Sequence, residues 1–168
     1  MGPHRLPKSL KLSPASWPLA RTYQAISSAS VDLIWKKIAN LADVSWHPLI
    51  ARTNVPYGLM PKPGLIFGAV SRLIPWPMQI FVERVSPEDL LSIRIMVLPG
   101  VEERVIYRME STVCGTKITY SVLMRGWLAP LVWSLVRGYA ATVANRLAMA
   151  AETEPPTTTP PPDPCLGF

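Results

Sequence analysis

The chain has 168 residues, of which 49% are hydrophobic and 17% charged, and its net charge is +6. That length supports one domain with tails and a sizeable apolar core. Lys and Arg occur singly or as the pair Lys36-Lys37, so no element concentrates charge as a specific nucleic-acid reader requires, whereas loose attraction to anionic membrane surfaces fits the scatter.

Residues 1–20 carry His4, Arg5, Lys8 and Lys11, no acid, and prolines at 3, 7, 14 and 18. There is no apolar run of signal-peptide length, and prolines break the amphipathic helix of a transit peptide, so the segment reads as a disordered basic extension. Residues 153–168 are rich in Pro and Thr, which cannot sustain a helix or a strand ladder, and read as an extended tail. The domain therefore spans 21–152. Cys114 sits beside a turn glycine and Cys165 in the tail, giving neither a disulfide framework nor a metal site, which points to a reducing compartment and a cytoplasmic protein.

Within the domain, 21–26 is a short strand. Ser30 is placed to cap a helix whose face is Val31, Ile34, Trp35 and Ile38, with Asp32 favourable in its first turn. A second short helix is expected over 41–46, ending before Pro48. The period then changes to two. Strands are expected over 52–57, 64–74, 78–85, 90–98, 102–112 and 116–125, separated by turns rich in Pro and Gly. In the later strands Ile93, Ile95 and Val97 alternate with Ser92 and Arg94. Val105, Tyr107 and Met109 alternate with Arg104, Arg108 and Glu110. Ile118, Tyr120, Val122 and Met124 alternate with Lys117, Thr119 and Ser121. Such a sheet has one face on a core.

Residues 128–151 form a long apolar helix. Arg137, Asn145 and Arg146 lie inside it, and each arginine at bilayer depth costs roughly 2.5–3.5 kcal/mol, so it reads as a core helix rather than a membrane span. Leu128, Val132, Leu135, Tyr139, Val143 and Leu147 are its expected inner face. The class is α+β, in the order β-α-α-β6-α.

This order resembles the helix-grip (SRPBCC) superfamily, which includes the START lipid-transfer domains, the birch-pollen-allergen fold and the polyketide cyclase/dehydrase proteins. The resemblance is carried by Ser30-Val-Asp-Leu-Ile-Trp35, Leu41-Ala-Asp-Val-Ser-Trp-His-Pro48, Gly68-Ala-Val-Ser-Arg72, Val82-Glu-Arg-Val85 and Gly115-Thr-Lys-Ile-Thr-Tyr120. It implies a bent seven-stranded sheet around the last helix, with an elongated hydrophobic pocket between them. The implied partner is a hydrophobic small molecule such as a lipid, isoprenoid, quinone or polyketide-like compound, in a cavity of about 300–1,000 Å³.

Three residues are candidates for proton transfer or oxyanion contact in such a pocket. Glu83 faces the cavity if Arg84 faces solvent, and is then a general base; otherwise it takes an edge position or pairs with a nearby arginine. Arg72 either binds a ligand oxygen from inside or runs its guanidinium to solvent. His47 either shuttles protons or is satisfied by backbone groups at a helix end. The expected ligand-lining set is Trp35, Trp46, Phe67, Phe81, Ile95, Tyr107, Met109, Tyr120, Val122, Leu135 and Tyr139. Motifs for hydrolase, kinase and dinucleotide chemistry are missing, and His47 is the domain's single histidine, so no cofactor or metal is expected. Three functions remain open: a non-catalytic binder or carrier, a cyclase/dehydrase-type enzyme, and a membrane-surface or assembly factor. The oligomeric state is left open.

Overall fold

A computed structural model describes residues 17–154. The disorder expected of the two tails, with His4 and Cys165, falls mostly outside those residues. The ordered part begins earlier than expected: β1 (Leu19–Ser27) starts two residues before position 21, and Trp17 packs on the sheet.

After β1 come α1 (Val31–Ala39), β2 (Ile50–Thr53), β3 (Ile66–Ser71), β4 (Pro77–Ser86), β5 (Leu90–Leu98), β6 (Val101–Thr112), β7 (Gly115–Gly126) and α2 (Ala129–Glu152). The strands form one antiparallel sheet in the order β1-β7-β6-β5-β4-β3-β2. The α+β class and the long final helix are as the alternation implied. Ser30 caps α1 through its hydroxyl, which accepts from Leu33 N, and Ile34, Trp35 and Ile38 are buried.

The expected second helix does not form. Residues 40–48 run through successive turns instead. Asp43 Oδ1 accepts from Ser45 N at 3.1 Å and from the Ser45 hydroxyl at 2.6 Å, while Lys37 Nζ donates to Asp43 Oδ2 at 3.0 Å. A short acid that bonds the backbone two residues on competes with helix formation. Consequently β2 lies at 50–53, earlier than the expected 52–57.

The concave face of the sheet carries Ile80, Val82, Ile93, Ile95, Val105, Tyr107, Met109, Ile118, Tyr120 and Val122, all buried. Across it lies α2, packed chiefly on β1, β7 and α1. Its inner face is made of Val132, Ala140, Val143, Ala144, Leu147, Ala148 and Ala151. The C-terminal end of α2 is fixed: Glu152 Oε1 accepts from Ser28 N at 2.8 Å and from the Ser27 hydroxyl at 3.0 Å. Its N-terminal end has no side-chain cap and no acid in the first turn. No helix among the described residues is long and apolar enough to cross a membrane.

Two glycines let the strand ends close. Gly115 and Gly126 both have φ near +124°, and a Cβ there would stand about 2 Å from the carbonyl oxygens of Ser27 and Gly100, respectively.

Candidate functional site

The polar groups on the concave face gather where β6 and β7 pass beneath α2. Tyr107 and Tyr120 are directly paired across β6 and β7, with ring centroids 5.2 Å apart. His47, from the turn segment before β2, is buried beside them. Its Nδ1 accepts from the backbone N–H of Leu49 (3.1 Å) and of Ile50 (3.2 Å), so the ring hydrogen sits on Nε2, which lies 3.2 Å from the Tyr107 hydroxyl. Tyr107 therefore accepts from His47, and its own O–H is left to donate elsewhere. Burial, with Arg72 nearby, pushes the imidazole down to about 3, so His47 is neutral at physiological pH. Burial also pushes both phenols up, with the Glu103 carboxylate adding to the effect.

Glu103 completes the group. It occupies an inward position of β6, in register with Val101, Val105 and Tyr107. Its carboxyl makes no hydrogen bond or ion pair among the described residues and lines the space under α2. Burial pushes it up to about 7. Near neutrality it is divided between a hydrogen-bond donor and an acceptor. Glu103 itself is half-buried, whereas the indole N–H of Trp46, edge-on to Tyr107 at 6.3 Å, is fully buried without a partner.

The space itself is small. It measures about 70 Å³ and is bounded by His47, Leu49, Ser71, Met78, Ile93, Ile95, Val97, Glu103, Val105, both tyrosines, Val132 and Val136. A second hollow of about 40 Å³ lies beside Phe67, Ile38, Leu41 and Tyr107. Both fall well below the expected 300–1,000 Å³. About 70 Å³ holds a few waters, not a lipid. Val132 and Val136 come from the N-terminal half of α2, which lacks a side-chain cap and packs with Val101, Met124 and Ala129 in an apolar cluster of its own. No group of acids, histidines and cysteines able to hold a metal occurs among the described residues.

No family model and no curated protein matches the sequence. Solved structures do match. Ara h 8.0201 superposes with a TM-score of 0.64 at 12% identity, over 81% of this chain and 99% of that one. Protein MLL2253 from Mesorhizobium loti gives 0.66 at 12% identity, over 82% and 100%. The Zhui aromatase/cyclase from Streptomyces sp. R1128 gives 0.62 at 12% identity, over 80% and 93%. This chain has the helix-grip fold.

Within that helix grip, several expected site residues lie elsewhere. Glu83 is on the convex face. Arg104 Nε and Nη2 donate to its two oxygens at 2.7 and 2.9 Å, Arg94 Nε donates at 2.6 Å, and the Ser92 hydroxyl donates at 3.3 Å. Burial alone would raise this carboxyl, but the bonds and charges of Arg104 and Arg94 hold it below its usual range. The cause is a β-bulge: Val82 pairs with Ile93 and Arg84 with Ser92, leaving Glu83 as the extra residue. Glu83 and Arg84 are therefore both on the outside, and Arg84's exposure says nothing about a cavity. Phe81, opposite Arg94, shares that outer face.

Arg72 is exposed and turned away from the cavity. Its Nε donates to the His47 carbonyl at 3.0 Å, so it braces the turn that carries His47. Leu135 and Tyr139 lie on the solvent face of α2, because the inward face follows the alanines rather than the bulky residues. Trp35, Met109 and Val122 are buried core outside the walls of both hollows. Trp46 stands just behind His47 and Tyr107. Ile95, Tyr107 and Tyr120 line the main space, Phe67 the smaller one.

Glu103 was missed, although its signal was available: it has the parity of Val105, Tyr107 and Met109 on a strand whose inner face is otherwise apolar.

Proposed function

We propose that this protein binds a small apolar molecule bearing one oxygen or nitrogen function. The apolar body would lie between β3–β6 and the N-terminal half of α2, with its polar group against Glu103, Tyr107 and Tyr120. The observation that carries this reading is Glu103. A half-buried carboxyl at the wall of an apolar space, with no protein group bonded to it, is costly to keep, and a ligand or bound water supplies what the chain does not. The aliphatic walls supply affinity at about 25 cal/mol per Å² buried. Since the space is about 70 Å³, binding requires the uncapped end of α2 to lift while the Glu152 end stays pinned. The exposed free thiol of Cys114 supports a reducing, cytoplasmic setting.

A saturable titration with the apolar probe 1-anilinonaphthalene-8-sulfonate tests the proposal. One site is expected, and Val136→Trp, which fills the space from α2, should remove it. Absence of saturation, or equal binding by Val136→Trp, would overturn the reading.

A second reading is a cyclase/dehydrase-type enzyme. It is favoured by the Glu103 carboxyl standing near neutrality, where a general base works best, beside a tyrosine O–H free to meet a developing oxyanion. Under it, Glu103→Gln abolishes turnover and retains probe binding.

A further inference from the structure

We propose that the end of the grip at which the cavity opens docks on an anionic membrane surface. The register places three features in a row along that end. Val70 pairs with Pro77 around the β3–β4 hairpin, Gln79 pairs with Met96 before the β5–β6 turn, and Val101 pairs with Gly126 at the start of α2. The residues that project there are apolar: Ile74 and Trp76 on the hairpin, Trp127 after β7, and Leu131 and Leu135 on the outer side of α2. All are at least half exposed, Trp127 to 79%. Ser71 and Met78 at the hairpin base face Val132 and Val136 of α2 across the same cavity, so the projecting residues frame its mouth.

Charge selects the occupant. Between Asp43 and Glu83 the chain has no acid but has Arg52, Lys62 and Arg72; between Glu110 and Glu152 it has no acid but has Lys117, Arg125, Arg137 and Arg146. These two stretches build the hairpin, β7 and α2; on β7, Lys117 pairs with Glu110 and Arg125 with Glu102, which leaves the arginines of the hairpin and α2 as the charge on offer. Arg72 and Arg137 are exposed and have no acidic partner among the described residues. Aliphatic side chains to insert, tryptophans suited to the headgroup level and arginines whose charge no acid balances are the ingredients of interfacial binding. A protein partner would have to be both apolar and acidic to match the same surface. Docking in this way turns the cavity mouth toward hydrocarbon, yet it stands on surface residues alone and is independent of whether the cavity holds a guest.

Co-sedimentation of the full chain with vesicles of phosphatidylcholine containing about one-third phosphatidylglycerol tests it. We expect binding at least tenfold stronger than to pure phosphatidylcholine, weakening as salt is raised from 50 to 300 mM. Ile74→Ser with Trp76→Ser should weaken it at least fivefold, while Tyr57→Ser, on the exposed β2–β3 loop, should leave it unchanged. Brominated lipid in the vesicles should quench the tryptophan fluorescence of the unsubstituted protein, a readout that needs no variant to fold. No binding to anionic vesicles, no quenching, or equal loss in Tyr57→Ser would overturn the proposal. So would a dimer in sedimentation velocity that the hairpin substitutions dissociate, since a second copy would then cover the face.

Discussion

Glu83 and Arg104 form a two-bonded carboxylate–guanidinium pair that reaches from β4 to β6 over the intervening strand β5. Arg94 of β5 bridges the same carboxylate to Glu102, whose other partner is Arg125. Trp17 lies over both outer guanidinium groups, with Arg104 at 4.9 Å and Arg125 at 4.7 Å from its ring centroid. Five charges and an aromatic lid thus tie four strands together on the side away from the helix. Of the roles open to Glu83 from sequence, base or partner of a nearby arginine, it takes the second and is a structural clasp. Replacing Glu83 by Gln leaves two arginines facing each other, and should lower stability by about 1–3 kcal/mol, the partly exposed site moderating the loss. Urea denaturation and probe titration of the same variant separate the two roles: the midpoint should fall while the probe affinity stays. A lost affinity at unchanged midpoint would return Glu83 to the binding site.

Glu103 predicts a pH dependence of its own. Its folded carboxyl titrates at about 7 against an ordinary value of 4.5. Below 4.5 both folded and unfolded chains hold the proton. Between 4.5 and 7 unfolding releases it, so stability falls as pH rises, and above 7 the full penalty is present. Glu103→Gln keeps the shape and removes the titration. It should be neutral near pH 4 and gain about 1–3 kcal/mol at pH 8, seen as a melting temperature whose advantage over the parent grows through that window. A constant offset at every pH would show that the carboxyl titrates normally.

His47 carries the opposite sign. Its folded value of about 3 lies below the ordinary 6.5, so between these values unfolding takes up a proton. The stability it contributes is complete above 6.5 and is lost as pH falls toward 3. At pH 5 that loss is about 2 kcal/mol, by the conversion of roughly 1.4 kcal/mol per pH unit. From pH 4.5 to 6.5 it runs against the slope of Glu103, and the parent protein should be nearly flat there. His47→Asn, whose Oδ1 can still accept from Leu49 and Ile50, removes one slope and exposes the other: its stability should decline from pH 4.5 to 6.5, whereas that of Glu103→Gln should climb. Thermal scans across five pH values read both. Parallel curves for the two variants would exclude this pairing of buried groups.

Much of this was legible in residue patterns. Ser30 before a 3.6-period run, alternation through Ile93–Val97 and Ile118–Met124, and Pro- or Gly-centred turns located α1 and five of the strands to within a few residues. What escaped were features that pattern does not encode. A bulge after Val82 inserts one residue and breaks parity, so Glu83 could not be assigned a face from its neighbours. Asp43 folds the chain onto its own side chain, overriding a short helical pattern. Glu103 sat at an inward position in plain view, but a charged residue at a strand start reads as surface until its register partners are known. Alanine, the residue that actually meets the sheet, carries little weight in a hydrophobic periodicity, and the eye follows leucine and tyrosine instead.

That last error yields a sharp test of how α2 is seated. Ala140, Ala144, Ala148 and Ala151 are buried almost completely, and they allow the helix backbone to approach β1 and β7 closely. Leu135 and Tyr139, larger and more apolar, stand on the opposite side, with Leu135 57% exposed. Enlarging a residue in a close contact forces the helix outward and costs about 1–3 kcal/mol, whereas truncating an exposed side chain changes stability by about 0.5 kcal/mol or less. Ala144→Leu should therefore destabilise markedly although it adds hydrophobicity, and Leu135→Ala should be silent although it removes some. Chemical denaturation of the two variants side by side decides it: if Leu135→Ala proves the more damaging, the helix presents its bulky face to the sheet, and the cavity walls drawn from Val132 and Val136 would have to be redrawn.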